Sequence, residues 1–195
     1  MRLQKGYIVR MRLFHFSEDP DIATFVPRPV ATHVERGPDR EWLNGPLVWA
    51  IDDVTQPLYF FPRDCPRILL WPTPATTAQD RERWFGSSAA KMIAHVEWAW
   101  FDRLTRESLY RYELPAGTFE DLDDAGMWIS RQAVTPLAVE PLTDLPAMMA
   151  AHRVELRVVE SLVPLRGVWS TTLHASGNRL RNAQGWAATP DASER

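Results

Sequence analysis

The sequence has little of what builds covalent cross-links, membrane spans or a strong electric field. Its 195 residues include a single cysteine, Cys65, which excludes an internal disulfide and a cysteine-based zinc site. No apolar run approaches the roughly 18 residues of a membrane span, and no signal-peptide pattern is present. The formal net charge of −3 gives no general attraction to nucleic acid. We therefore expect a cytoplasmic protein without a membrane association, in which a local basic patch meets any polyanion.

Several common catalytic and ligand-binding motifs are also missing. There is no phosphate-binding loop, no glycine-rich dinucleotide fingerprint and no paired-histidine zinc motif, and no G-x-S-x-G elbow. The five histidines are scattered at spacings that do not indicate a metal site. The carboxylates of Glu120–Asp124 are interpreted as a solvated face, with a metal site as the alternative. The sequence predicts no bound metal.

Tryptophan and proline are abundant, at nine and sixteen residues. This combination favours short elements joined by rigid turns, with aromatic side chains in the core or lining a cleft. The length suits one domain with a full core. Because a second Met-Arg-Leu begins at Met11, we interpret residues 1–10 as an N-terminal extension. Residues 11–186 are predicted to form the single domain, and 187–195 a disordered tail.

Hydrophobic periodicity predicts many short strands and few short helices. This tally favours an α+β fold: a single domain of two small, packed, mostly antiparallel sheets with a few short helices. The polar stretch Thr32–Gly45 is predicted to be a surface loop, and Phe119–Asp124 an acidic surface segment. The predicted strands are Met11–Phe16, Val48–Ile51, Ile68–Trp71, Met92–Trp98, Leu109–Leu114, Met127–Ser130, Val134–Val139 and Val154–Val159, and the predicted helices are Gln79–Phe85, Trp98–Thr105, Asp144–His152 and Leu162–Trp169.

The stretch Val48–Pro72 carries the candidate site. Pro62 and Pro66 fix the backbone of a short corner that follows three aromatic residues. Between the prolines lies Arg63, whose planar fork suits phosphate and carboxylate. A stiff corner of this kind is more than a chain reversal requires, which favours a ligand-binding role for Arg63. The alternative is a local ion pair between Arg63 and Asp64.

The chain resembles a family of small bacterial proteins known only as a domain of unknown function. That family brings no established activity. The resemblance runs from about Leu13 to Ala183 and rests on the strings LFHFSEDPDIATFVPRP, VWAIDDVTQPLYFFPRDCPRI, LYRYELP, AGMWIS, VELRVVESL and RLRNA.

A second resemblance is to the ADP-ribosyltransferase superfamily, in particular to relatives of the DarT toxins, which modify DNA with NAD. The string His15-Phe16-Ser17 is similar to the His-hydrophobic-Ser/Thr step of their first strand. The string Tyr59-Phe60-Phe61-Pro62-Arg63 is similar to their Tyr-Phe-x-Pro-Arg motif. The resemblance implies an ADP-ribosyltransferase-like fold, NAD as substrate and Arg63 as a catalytic residue. The NAD-binding residues it implies are His15, Phe16, Ser17, Tyr59, Phe60 and Arg63.

Two qualifications accompany this resemblance. A lone histidine in an apolar strand is also typical of a hydrogen-bonded core residue, so that interpretation of His15 stays open. The late strand resembles that of the superfamily at Met127–Ser130, but Ala125-Gly126 stands where DarT-type enzymes place a catalytic glutamate. Glu113 is the catalytic substitute that we name, with Asp124 as the alternative. The Arg and His set of RNA 2′-phosphotransferases has a similar counterpart in Arg28, His15 and Arg63.

The predicted function is that of an ADP-ribosyltransferase-like protein that binds NAD or a related nucleotide, with a nucleic acid as acceptor. The first alternative is a non-catalytic module that binds a nucleotide or an RNA end, which the missing glutamate favours. The second is a structural or partner-binding protein, which an exposed apolar patch of tryptophans would favour.

Overall fold

A computed structural model describes residues 11–187 as an α+β fold with two mostly antiparallel sheets. This confirms the predicted fold class and sheet type. Within that range the chain divides into two compact units, which comprise residues 11–56 with 110–140 and residues 57–109 with 141–187. The predicted extension and all but the first residue of the predicted tail lie outside the described residues.

The elements are short, as the abundance of prolines predicts. The ten strands of the described range are β1 (Leu13–Ser17), β2 (Val48–Asp52), β3 (Arg67–Trp71), β4 (Met92–Glu97), β5 (Leu109–Leu114), β6 (Glu120–Asp121), β7 (Met127–Ser130), β8 (Ala138–Leu142), β9 (Val154–Val159) and β10 (His174–Asn178). The α-helices are α1 (Ala78–Phe85), α2 (Trp98–Arg106) and α3 (Leu145–Ala151), and the 3-10 segments are Pro38–Asn44, Gln56–Tyr59, Ala116–Thr118, Val163–Ser170 and Leu180–Asn182.

The sheet of the first unit has the strand order β6-β7-β2-β1-β5-β8. Strand β1 is central and pairs antiparallel with both β2 and β5. The alternation of Leu109–Leu114 is confirmed, because Tyr110, Tyr112 and Leu114 all pack in the apolar core of this unit. Because β1 lies between two partners, its register is fixed on both sides, and His15 pairs with Tyr112.

The sheet of the second unit has the order β10-β3-β4-β9. Strand β4 pairs antiparallel with β3 and parallel with β9, and all six of its residues are buried. Such a strand reads as a near-continuous apolar run rather than an alternating one. Two of the six are nevertheless polar, namely His95 and Glu97.

Two sequence predictions need correction. The strand expected at Val134–Val139 is wrong, because Val134 makes only an isolated bridge with Phe25 and the strand begins at Ala138. Strand β8 tolerates Pro141 because it is an edge strand, where a missing N–H need not be paired. The segment Phe119–Asp124 is not all surface, since Phe119 is buried, while the two residues that follow it form the exposed strand β6.

Two further segments form regular structure of a different type than expected. The predicted loop Thr32–Gly45 contains the 3-10 segment Pro38–Asn44, and the predicted helix Leu162–Trp169 is a 3-10 segment, Val163–Ser170. Within residues 11–187, no helix is long and apolar enough to cross a membrane.

Candidate functional site

The candidate site is built on the corner that joins the 3-10 segment Gln56–Tyr59 to β3. The two prolines of this corner, Pro62 and Pro66, are buried together with Phe60, Phe61 and Cys65, whereas Arg63 and Asp64 are exposed. A base anchored in the interior holds the two charged residues outward at a fixed place. The structure thus puts Arg63 at an accessible tip, and its ligand role stays a prediction.

The second arginine of the corner, Arg67, is buried. Its Nε donates to the carbonyl oxygen of Leu58 at 3.0 Å, and its Nη1 donates to that of Cys65 at 3.1 Å. The guanidinium also lies over the rings of Tyr59 and Phe61, 5.7 and 4.9 Å from their centroids. Burial lowers the pKa of Arg67 to about 10. Arg67 therefore braces the corner from inside, a role that sequence reasoning missed.

A C-terminal segment completes the site. Arg179 donates from Nε to the carbonyl oxygen of Arg63 at 3.0 Å, and Asn182 donates from Nδ2 to that of Asp64 at 2.8 Å. Arg181, between them in the chain, is exposed. We call Arg63, Asp64, Arg179 and Arg181 the arginine corner. The carboxylate of Asp64 lies 3.9 Å from Nε of Arg179, and the alternative ion pair between Arg63 and Asp64 stays a prediction.

The backbone of Arg179 is in the left-handed region, with φ 54° and ψ 25°. Such a conformation is uncommon for a residue other than glycine and persists where its surroundings hold it. Here the hydrogen bond to Arg63 holds the side chain, and the neighbouring Leu180 packs against the apolar core of the second unit. The segment is thereby fixed against the corner.

A buried carboxylate secures the end of this segment. Glu97 is 2% exposed and accepts the backbone N–H groups of Leu162 at 3.1 Å and of Gln184 at 3.1 and 3.0 Å. Backbone donors of this kind satisfy a buried carboxylate. Sequence reasoning missed Glu97, although a charged residue that closes an apolar strand is a signal that could have found it.

The predicted aromatic ligands of the corner lie in the interior. Phe60 is fully buried and packs edge-to-face on His152, with ring centroids 4.9 Å apart. Burial raises the pKa of Tyr59, against the opposing charges of Arg67 and Arg179. Phe60 is thus placed to support the corner, and Tyr59 is half-buried beside it.

In the first unit, His15 is held by a hydrogen bond. Its Nδ1 lies 2.8 Å from the carbonyl oxygen of Trp49, and its ring lies 4.7 Å from that of Phe25. Because a carbonyl can only accept, Nδ1 carries the proton and Nε2 is the acceptor nitrogen of the neutral ring. The hydrogen-bonded interpretation of His15 therefore has direct support.

The other predicted residues of β1 have local roles. Ser17 accepts the backbone N–H of Asp19 at its Oγ, at 3.1 Å, which starts the turn after the strand. Phe16 is half-buried and pairs with Arg111 of β5. Both residues are ordered by the strand itself, and their NAD contacts stay predictions.

The two carboxylates named as catalytic acids are ion-paired. The carboxylate of Glu113 on β5 accepts hydrogen bonds from Nε and Nη2 of Arg12, at 3.2 and 2.7 Å. Asp124 lies 2.7 Å from Nη1 of Arg40. Arg28 is exposed and exchanges backbone hydrogen bonds with Leu47.

The turn into β7 leaves no room for a side chain at Gly126. Ala125 and Gly126 have φ values of 48° and 69°. A Cβ on Gly126 would lie 1.9 Å from Oγ1 of Thr55 and 2.7 Å from Oδ2 of Asp52. A tight turn with two left-handed residues thus leads into β7.

The structure gathers the predicted residues into two groups. Tyr59, Phe60 and Arg63 lie together in the second unit, and His15, Phe16, Ser17 and Glu113 lie on the neighbouring strands β1 and β5 of the first. A shared site for His15 and Arg63 stays a prediction. In the part of the chain that the structure describes, no group of three or more His, Cys, Asp or Glu could hold a metal ion.

Comparison with known proteins gives one match. The model of a family of unknown function (DUF6886) matches residues 14–183. No curated protein and no solved structure matches the chain. The matched range begins in β1 and ends just after the segment that carries Arg179 and Asn182, so it includes the whole arginine corner.

Proposed function

The chain belongs to this family of unknown function, DUF6886, and we propose that its arginine corner binds the phosphate groups of a nucleotide or of a nucleic-acid end. One observation carries the proposal: Arg63 is exposed at the tip of a corner whose base is buried and whose backbone is anchored by Arg179 and Asn182. Binding costs least when the binding group is already held in place.

The charge of the corner suits phosphate. Three arginines and one aspartate give a formal charge of +2 (3 − 1) in a chain whose net charge is −3. The attraction is therefore local, as expected for a site that takes a small anion or one end of a polymer. An arginine fork can donate two parallel hydrogen bonds to one phosphate. NAD, ADP-ribose and a phosphorylated RNA end all supply such groups.

The site supports binding without group transfer. Gly126 leaves no room for the glutamate that transfer chemistry uses in the resembled enzymes, and Glu113 is engaged with Arg12. The second candidate function is ADP-ribosyl transfer from NAD to a nucleic acid. It draws on the acceptor nitrogen of His15 and requires Glu113 to act as the acid.

Calorimetric titration of the whole chain with NAD, ADP-ribose and a 3′-phosphorylated RNA oligonucleotide tests the proposal. A charge-assisted contact contributes about 1.5–3 kcal/mol, so Arg63→Ala should weaken binding roughly tenfold to a hundredfold. Arg63→Lys should not restore it, because the fork is lost. Arg106→Ala is the matched control, since Arg106 is 76% exposed on α2 and carries the same charge.

The outcomes separate the candidates. Absence of binding by all three ligands at millimolar concentration would overturn the proposal, and so would equal effects of Arg63→Ala and Arg106→Ala. Release of nicotinamide from bound NAD would replace the binding module with the transferase. Binding of intact NAD or of the RNA end supports the module.

A further inference from the structure

Asp64 is an unexpected component of a phosphate site. Its carboxylate is 58% exposed and lies beside Arg63 in the chain, 3.9 Å from Nε of Arg179. That distance is too long for a hydrogen bond, and the Nε hydrogen is already donated to the carbonyl oxygen of Arg63. The position of Asp64 is set by its own backbone, because its carbonyl oxygen accepts from Asn182.

A carboxylate in this position lowers the affinity of the corner for any anion. It repels the phosphate that the arginines attract, and the loose pairing of this exposed carboxylate with the half-buried Arg179 contributes little to stability. Its placement is useful if the ligand also carries hydrogen-bond donors. A carboxylate accepts hydrogen bonds from hydroxyl groups, and acidic side chains bind ribose hydroxyls beside phosphate sites in other nucleotide-binding folds.

Resting on the proposed function, we infer that Asp64 accepts a ribose hydroxyl of the bound nucleotide while Arg63 holds the neighbouring phosphate. Residues 63 and 64 are adjacent, and a ribose hydroxyl is adjacent to the phosphate it flanks. The ligand class is therefore a ribonucleotide or RNA end rather than its deoxyribose counterpart. The carboxylate lets the corner discriminate between ribose and deoxyribose ligands but weakens its attraction for the phosphate, as a repulsive group does in other specific sites.

Titration with a ligand pair that differs in one hydroxyl tests this inference. The probes are two oligonucleotides of one sequence with the same 3′-phosphate, which differ only in the 2′-hydroxyl of the terminal nucleotide. The wild-type chain should bind the ribose form at least roughly tenfold more tightly than the deoxyribose form, the effect of one charge-assisted hydrogen bond.

Asp64→Asn should reduce that ratio to about two. The same variant should bind the deoxyribose form a few-fold more tightly than the wild type does, because the repulsion is gone while nothing is lost. A ratio that falls while the deoxyribose form gains affinity cannot come from a general loss of structure. Glu82→Gln, which removes the same charge from an exposed position on α1, should change neither affinity.

Two results would overturn the inference and leave the proposed function standing. The first is a wild-type chain that binds both oligonucleotides equally, and the second is an unchanged ratio in Asp64→Asn. Failure of both oligonucleotides and of ADP-ribose to bind either chain would instead remove the proposed function and this inference together.

Discussion

Two arginines four positions apart have opposite environments. Arg63 is exposed at the tip of the corner, whereas Arg67 is 4% exposed and donates to two carbonyl oxygens. Both carry the same fork, so the difference lies in what each one contacts. The two acceptors of the Arg67 guanidinium are carbonyl oxygens in the interior. A ligand that bound Arg67 would have to replace these hydrogen bonds, which brace the corner. Arg63 is the arginine to test for binding.

The first prediction concerns Arg67→Met. This change keeps the bulk of the side chain but leaves the carbonyl oxygens of Leu58 and Cys65 without their donors. Each buried unsatisfied group costs about 1–3 kcal/mol, so we expect the free energy of unfolding to fall by about 2–4 kcal/mol in urea denaturation. Arg63→Ala, the matched change at the surface, should stay within about 0.5 kcal/mol. An unchanged free energy of unfolding in Arg67→Met would mean that the cost of removing the guanidinium from water outweighs the gain from its hydrogen bonds.

The second prediction concerns His95, whose burial should make the free energy of unfolding depend on pH. Burial on β4 and, after it, the charge of Arg157 on β9 lower the pKa of His95 to about 4, against a backbone hydrogen bond with Ile68 of β3 and the charge of Glu155. In the unfolded chain the pKa is about 6.5. Between these values the unfolded state binds more protons. The contribution of the neutral, buried His95 to the free energy of unfolding is therefore complete above about pH 6.5 and is lost as the pH falls toward 4.

Unfolding measured by urea at several pH values checks this prediction. The free energy should drop by up to about 3 kcal/mol across the window, at about 1.4 kcal/mol per unit of pKa difference. His95→Gln does not titrate there, and its slope should be correspondingly flatter. Equal slopes in the two chains would show that other groups dominate the acid dependence.

At the scale of elements, the turn into β7 depends on one glycine. Gly126→Ala places a Cβ 1.9 Å from Oγ1 of Thr55 at a φ of 69°, a conformation that side chains rarely adopt. We expect a loss of about 3 kcal/mol or more, since both overpacking and backbone strain contribute. Gly117→Ala, in the same unit and with nothing within 4 Å of its Cβ, should be nearly neutral. Thermal unfolding of both variants tests the difference, and equal melting temperatures would contradict it.

Local signals in the sequence predicted several elements well. The alternation of β5 is visible in six residues. Helix α3 is visible because Asp144, which precedes it, is a residue type typical of helix caps, and in the structure Asp144 accepts the N–H of Ala147. Strand β8 was misplaced because Pro141 resembles a strand terminator, and only the sheet order shows that this strand lies at an edge.

The candidate site was predicted only in part, for a physical reason. Prolines and aromatics mark the corner of Arg63 because their effects on the backbone are local. The contacts of Arg179 and Asn182 join residues 116 and 118 positions apart in the chain, and no periodicity reports such pairs. The sequence therefore shows the RLRNA string without its place against the corner.

At the scale of the whole molecule, the chain visits each compact unit twice. Residues 11–56 and 110–140 build the first unit, and 57–109 and 141–187 build the second. Neither unit is a continuous piece of chain. In the second sheet, β3 and β4 are flanked by β10 and β9, which come from the later segment.

We therefore predict the effect of ending the chain at Glu140. Strands β3 and β4 then remain as an isolated pair, and a two-stranded sheet is marginal in water. Amide hydrogen exchange followed by mass spectrometry should show that residues 67–71 and 92–97 lose their protection relative to the full chain. Retained protection in those residues would mean that the earlier segment folds without the later one.

Because the single cysteine is buried in the corner, its reaction with an alkylating reagent reports how often the corner opens. Cys65 is 0% exposed, and burial raises the pKa of its thiol to about 12. Because the thiolate is the reactive form, its fraction in the closed protein at pH 7 is about one in 10⁵. An alkylating reagent can thus mark the chain essentially only while the corner is open. Because the chain has one thiol, each alkylated chain is one whose corner has opened. A ligand that binds Arg63 should therefore slow the rate of alkylation.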